Sequence, residues 1–192
     1  ISAYYSQQTN GASKFITDSE GQKVTNPNRQ FLGIWGSSIG LGQRLTWPDD
    51  YFQFYNEVSY QYYDLQNWGN FIFGTGYAHN LSFRTQFSRN SVDAPIYPRR
   101  GSNTSISLQF TPPYSFFDGR TDYDELSNQE RYKFIEFHKW KFNSSWFTTL
   151  TGKLVLNSKI GFGYLGSYNE SLGQSPFERF YLGGDGLSGF NL

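Results

Sequence analysis

Residues 71–88 read FIFGTGYAHNLSFRTQFS. Phe71, Phe73, Tyr77, Leu81, Phe83 and Phe87 fall on odd positions. Gly74, Gly76, Asn80, Ser82, Arg84, Gln86 and Ser88 fall on even ones, with Ile72 the main exception. Successive side chains of a strand point to opposite faces, so a period of two predicts one long strand with an apolar and a polar face. The run is longer than the roughly 5–6 residues of an ordinary strand. It is long enough to cross a bilayer when tilted, which takes about 9–11 residues.

The same period extends in both directions. Phe52, Phe54, Val58, Tyr60 and Tyr62 oppose Gln53, Glu57, Ser59 and Gln61, and Ile106, Leu108 and Phe110 oppose Ser105, Ser107 and Gln109. Leu150, Leu154, Leu156, Ile160, Phe162 and Tyr164 oppose Lys153, Asn157, Lys159, Gly161 and Gly163. Phe31, Trp35, Ile39, Leu41, Leu45 and Trp47 stand against Gly36, Ser38, Gly40, Gly42 and Arg44. Residues 131–142, RYKFIEFHKWKF, fit least, because Glu136 and His138 share a face with Phe134 and Trp140. The pattern is all-β, with seven strands expected at 1–8, 30–47, 51–65, 70–88, 101–113, 130–143 and 148–165.

Alternation alone also suits a soluble sandwich. Strand length, a polar face of Gly, Ser, Gln and Lys, and aromatics near strand ends (Trp35, Trp47, Tyr51, Trp68, Trp140, Trp146) favour an antiparallel transmembrane β-barrel with interfacial girdles. Loop lengths give the orientation, since such barrels have short turns on the periplasmic side and longer extracellular loops. The connections 47–50, 93–101 and 143–146 are then expected inside. Those at 9–29, 66–70 and 114–129, and the terminal loop, are expected outside. Seven strands form an open sheet whose edges lipid cannot satisfy, so the chain is expected to be part of a larger barrel.

Composition excludes several classes. The 192 residues carry a net charge of +0 and no cysteine, so neither a nucleic-acid footprint nor a disulfide or thiolate zinc site is expected. Hydrophobic content is 37% with 20% aromatics, and no stretch approaches the roughly 18 apolar residues of a membrane helix. His79 and His138 lie in separate strands with no metal-ligand spacing. The acidic run DGRTDYDELSNQE (118–130) offers Asp118, Asp122, Asp124 and Glu125 as oxygen ligands but lacks calcium-loop spacing, so a solvated loop is expected. No catalytic, metal or cofactor-binding residue is expected.

Two stretches carry a family resemblance. DAPIYPRRGSNTSISLQFTPPYSFFDG (93–119) resembles the periplasmic turn and rising strand of the superfamily of POTRA-bearing outer-membrane barrels, with Pro95, Pro98 and Gly101 in the turn. PFERFYLGGDGLSGF (176–190) is similar to that family's start of a long extracellular loop, matched at Phe177, Arg179, Phe180, Tyr181, Gly183 and Gly184. In the family this loop folds into the barrel lumen and is locked by an arginine-glycine-aromatic motif. Here Ser188 stands where that arginine would be, and the motif is expected beyond Leu192.

The resemblance implies that residues 1–192 are part of a single barrel domain of the bacterial outer membrane, with POTRA repeats and the remaining strands elsewhere. It implies folding and insertion of outer-membrane proteins through pairing with a client's edge strand. The implied partners are unfolded outer-membrane protein clients, accessory lipoproteins and outer-membrane lipids, with no nucleic acid. A porin or nutrient channel, selected by Arg44, Arg84, Lys153 and Lys159, is an alternative. So are a secretion or translocation relative and a soluble sandwich.

Overall fold

A computed structural model describes residues 1–69, 73–120, 123 and 125–180. The elements are β1 (Ser2–Thr9), a small hairpin of β2 (Phe15–Thr17) and β3 (Lys23–Thr25), then β4 (Phe31–Arg44), β5 (Phe52–Gln66), β6 (Gly76–Asn90) and β7 (Gly101–Phe110). After one turn of helix α1 (Asn128–Arg131) follow β8 (His138–Thr151) and β9 (Leu154–Gly166). Seven strands form one antiparallel sheet in the order β1-β4-β5-β6-β7-β8-β9. Each strand pairs with its neighbour in sequence apart from the inserted hairpin, as alternating segments joined by short turns dictate.

The register lines up two kinds of row. One runs Gly40, Glu57, Arg84, Gln109, Lys139 and Leu165 across six strands; the adjacent row runs Ile39, Val58, Phe83, Phe110, His138 and Gly166. The second face is apolar and uncovered, with Leu41 exposed by 73% and Phe162 by 63%. Trp35, Ile39, Val58, Tyr60, Ile106, Trp140, Leu156 and Ile160 continue it. Soluble monomers rarely expose contiguous apolar patches above a few hundred Å². A sandwich would bury this face and wet the other, so the arrangement is that of a barrel wall whose apolar side meets lipid.

The inner face is cross-linked by polar groups. Gln61 Nε2 donates to Tyr4 Oη (2.5 Å), while Tyr63 Oη (2.8 Å) and Asn80 Nδ2 (3.1 Å) donate to Gln61 Oε1. Ser59 and Ser82 share a hydrogen bond at 2.8 Å, and Gln109 Nε2 reaches Ser82 Oγ at 3.3 Å. The dry core is small and lies at one end of this face. Leu65, Phe73, Ala78, Tyr132, Ile135 and Phe137 are buried there, with Leu32, Tyr63, Trp68, Leu165 and Phe177 packed around them.

The connections at 45–51, 91–100 and 152–153 emerge at one end; those at 10–30, 67–75 and 111–137, and residues from 167 on, emerge at the other. The grouping of the connections by end is the expected one, with one correction. Residues 143–146 are not a turn but the middle of β8, and the chain reverses at Gly152 and Lys153 instead. The first part of the expected strand at 130–143 is replaced by α1 and an extended return segment, and only residues 138–143 of it are strand, as the start of β8. Trp68 is also no girdle residue, since it packs against the inner core.

The return segment closes a gap in the wall. β7 ends at Phe110, opposite Phe83, which leaves the upper part of β6 without a strand on that side. His79 N–H donates to the Lys133 carbonyl (2.8 Å) and its carbonyl accepts from Ile135 N–H (2.9 Å), pairing the segment with β6 in parallel. The Gln129 side-chain amide does the same one position along. It accepts from Tyr77 N–H at 2.9 Å and donates to its carbonyl at 2.8 Å. An open edge would otherwise expose these groups.

Candidate functional site

The features that sequence analysis singled out lie at opposite ends of the wall. Pro95, Pro98 and Gly101 belong to the 91–100 turn. Gly101 has φ +100, and a Cβ there would collide with the Ser91 carbonyl. Asp93 Oδ1 accepts from the backbone N–H of Arg99 (2.9 Å) and Arg100 (3.2 Å), and these bonds hold its carboxyl below the usual carboxylate range. The turn leans on the β8–β9 hairpin, with Arg99 Nη2 donating to the Gly152 carbonyl (3.1 Å) and Thr149 Oγ1 to the Arg99 carbonyl (2.9 Å).

At the other end, the chain leaving β9 turns back over the inner face. Tyr168 Oη donates to the Thr111 carbonyl at 2.9 Å, and Tyr132 Oη reaches the carbonyl of buried Leu172 at 3.3 Å. Phe177 then packs on Tyr63 of β5 (centroids 4.7 Å apart) and on Phe73 (6.0 Å). The next residues come back to β8. Lys139 Nζ lies 2.8 Å from Glu178 Oε2 and donates to the Arg179 carbonyl at 3.0 Å. The Phe180 ring sits beneath two ammonium groups, Lys139 at 4.9 Å and Lys141 at 5.7 Å from its centroid.

Gly163 makes room for this ring. A Cβ at that position would lie 2.8 Å from Phe180 Cε1 and Cζ, closer than real Cβ contacts come. Residues 177–180 thus span the inner face from β5 to β9, held by one aromatic anchor at each end and an ion pair between. Tyr181, Gly183 and Gly184 lie outside the described residues. Sequence reasoning missed Lys139, Lys141, Glu178 and Gly163. The available signal was the i, i+2 lysine pair, which sits in the stretch whose alternation was hardest to assign.

The loop 111–137 that roofs this region carries a buried acid. Glu136 accepts from Ser115 Oγ at 2.9 Å and from the Ser115 backbone N–H, and burial pushes its carboxyl up. Asp118, a calcium candidate, instead accepts from Arg120 N–H (3.0 Å) and Tyr123 Oη (2.7 Å). Asp122 and Asp124 lie outside the described residues. Of the histidines, His79 stands on the outer face bonded to Tyr60 Oη at 2.7 Å. His138 accepts from Trp140 Nε1 at 3.1 Å. Arg84 and Lys159 are on the inner face, Arg44 bonds the Asp50 carbonyl at the strand end, and Lys153 is in the tight turn.

The fold matches that of BamA from Haemophilus ducreyi lacking POTRA domains 1–3, with a TM-score of 0.57 at 16% identity, over 90% of this chain and 30% of that one. This chain therefore spans about a third of that relative's length. No curated protein sequence matches it. The model of the Omp85 superfamily domain matches residues 4–191, nearly the whole chain, and the chain belongs to that superfamily.

Proposed function

We propose that this chain is part of the barrel of a BamA-type protein, the central subunit of the outer-membrane β-barrel assembly machinery. In this role it folds and inserts outer-membrane proteins. The observation that carries the reading is the loop base, Phe177 to Phe180, fastened across the inner face. A diffusion channel needs an open lumen, whereas an insertase needs a rigid wall against which a distant seam opens. The chain contributes that wall, and no catalytic role is proposed for it. Its partners are unfolded outer-membrane protein clients, the accessory lipoproteins of the complex and the lipids around it, and its location is the bacterial outer membrane.

A channel is the second reading, favoured by Arg84, Lys141 and Lys159 on the inner face. Liposomes carrying the full-length protein separate the two. A urea-denatured outer-membrane protein should acquire its heat-modifiable folded form faster there than in liposomes carrying an unrelated porin. Unchanged client folding together with steady anion-selective conductance would overturn the assembly role.

A further inference from the structure

We propose that the 91–100 turn and Lys153 form a binding site for anionic phospholipid headgroups at the membrane surface; this rests on the membrane-wall reading. Ile96 is 72% and Tyr97 88% exposed at the tip of a turn that is otherwise tightly tied. Besides the Asp93 bonds, Asp93 N–H donates to the Arg100 carbonyl (3.1 Å) and Ser91 N–H to the Ser102 carbonyl (2.8 Å). Tyr97 itself is held at φ +56, a region that bulky residues rarely enter. A rigid turn that presents an aromatic and an aliphatic side chain to solvent in a strained conformation has a surface to meet.

The surrounding charge says which surface. Contact with the β8–β9 hairpin through Gly152 brings Arg99 next to the turn that carries Lys153, with Arg100 following in the chain, and the turn's only carboxylate, Asp93, is already engaged by backbone N–H groups. Among the described residues neither Arg100 nor Lys153 has an ion-pair partner. Arg89, by contrast, is paired with Asp49 at 2.8 Å. Leu150 and Leu154, exposed on the outer face of the same hairpin, join this cationic end to the apolar band. Aromatic and aliphatic side chains at the boundary, with unpaired cations just beyond, fit a phosphodiester headgroup layer, and the continuity with the lipid-facing band favours lipid over a periplasmic protein.

The test uses the full-length protein in nanodiscs of phosphatidylcholine, with or without phosphatidylglycerol. An environment-sensitive fluorophore is placed by Tyr97→Cys, or by Ile96→Cys as an independent reporter, and by Ile160→Cys as a wall control. Headgroup-proximal quenchers should quench the Tyr97 probe about twofold more on phosphatidylglycerol than on phosphatidylcholine. High salt, or the combined R99Q, R100Q and K153Q changes, should abolish that preference. Equal quenching on both lipids, or a probe that only aqueous iodide reaches, would overturn the proposal. So would shielding that appears only when accessory periplasmic subunits are added. If the Ile160 probe also fails to meet acyl chains, the membrane reading itself falls; if only the turn probes fail, the headgroup site alone does.

Discussion

Replacing Lys139 by alanine removes the group that holds the loop base most directly. The Lys139 and Glu178 side chains keep only 10% and 18% exposure, so the substitution strands a nearly buried carboxylate. Breaking a fully buried pair costs about 3–5 kcal/mol, and the residual exposure lowers that to about 2 kcal/mol here. The lost hydrogen bond to the Arg179 carbonyl adds about 1 kcal/mol. The cation over Phe180 adds about 0.5 kcal/mol, because Lys141 remains. Neighbouring effects do not sum in full. The expected loss is about 3 kcal/mol, on the order of a hundredfold in the docked-to-free ratio.

Trypsin reads this ratio in the full-length, membrane-inserted protein, since the bond after Arg179 is protected only while the loop base is docked. Lys139→Ala should speed that cut on the order of a hundredfold where opening and reclosing are fast relative to cleavage. Lys159→Ala, on the same inner face, should leave it unchanged. Lys139→Met combined with Glu178→Leu should recover much of the protection, because the pair is replaced and not broken. Cleavage in Lys139→Ala within twofold of the parent would refute the reasoning and place the loop's anchorage elsewhere.

Three further outcomes are expected. Ile160→Arg, on the outer face near the middle of β9, should cost about 2–4 kcal/mol in urea refolding into vesicles, whereas Asn157→Arg on the inner face should be nearly neutral. Gly101→Ala should cost about 2 kcal/mol or more in the same assay, because it adds a Cβ to a positive-φ residue facing the Ser91 carbonyl. The Glu136 carboxyl is raised above its ordinary 4.5 by burial, only partly offset by Ser115. A raised folded value makes its contribution complete below the ordinary value and lost as pH rises through the elevated one. Amide protection of 111–137, corrected for intrinsic rates, should therefore fall as pH rises above 4.5, and Glu136→Gln should flatten that fall.

The long strands were legible because alternation persists wherever one face meets lipid and the other a polar lumen. β5 matches its expected bounds within a residue, whereas β6 and β9 match only at their ends: residues 73–75 belong to the loop before β6, and 148–151 belong to β8. The stretch 131–142 resisted for a reason the structure supplies. Residues 135, 137, 139 and 141 all face inward, yet Ile135 and Phe137 meet the dry core under the loops while Lys139 and Lys141 meet the polar lumen. A single face thus changes polarity along its length, which no two-letter pattern anticipates. Asn143, Ser144 and Ser145 mimicked a turn for a related cause: Ser144 is polar on the outer face, where it pairs with Thr104 at 2.5 Å.

The loop base was legible only in part. Phe177, Arg179 and Phe180 stood out through resemblance, but apart from Gly163 the partners named above lie 39 residues or more away in sequence. Lys139 is such a partner, on β8, and Tyr63 on β5 is farther still. Long-range pairing of this kind is set by register, and the misplaced β8 turn hid it.

The most direct test of the wall is a nitroxide scan along β9, Leu154 to Gly166, in the full-length protein reconstituted in bilayers. Oxygen accessibility should peak at 154, 156, 160, 162 and 164. Accessibility to a water-soluble nickel chelate should peak at 157 and 159, giving two period-two waves out of phase. Waves in phase, or chelate access at Ile160 and Phe162, would contradict a lipid-facing barrel wall.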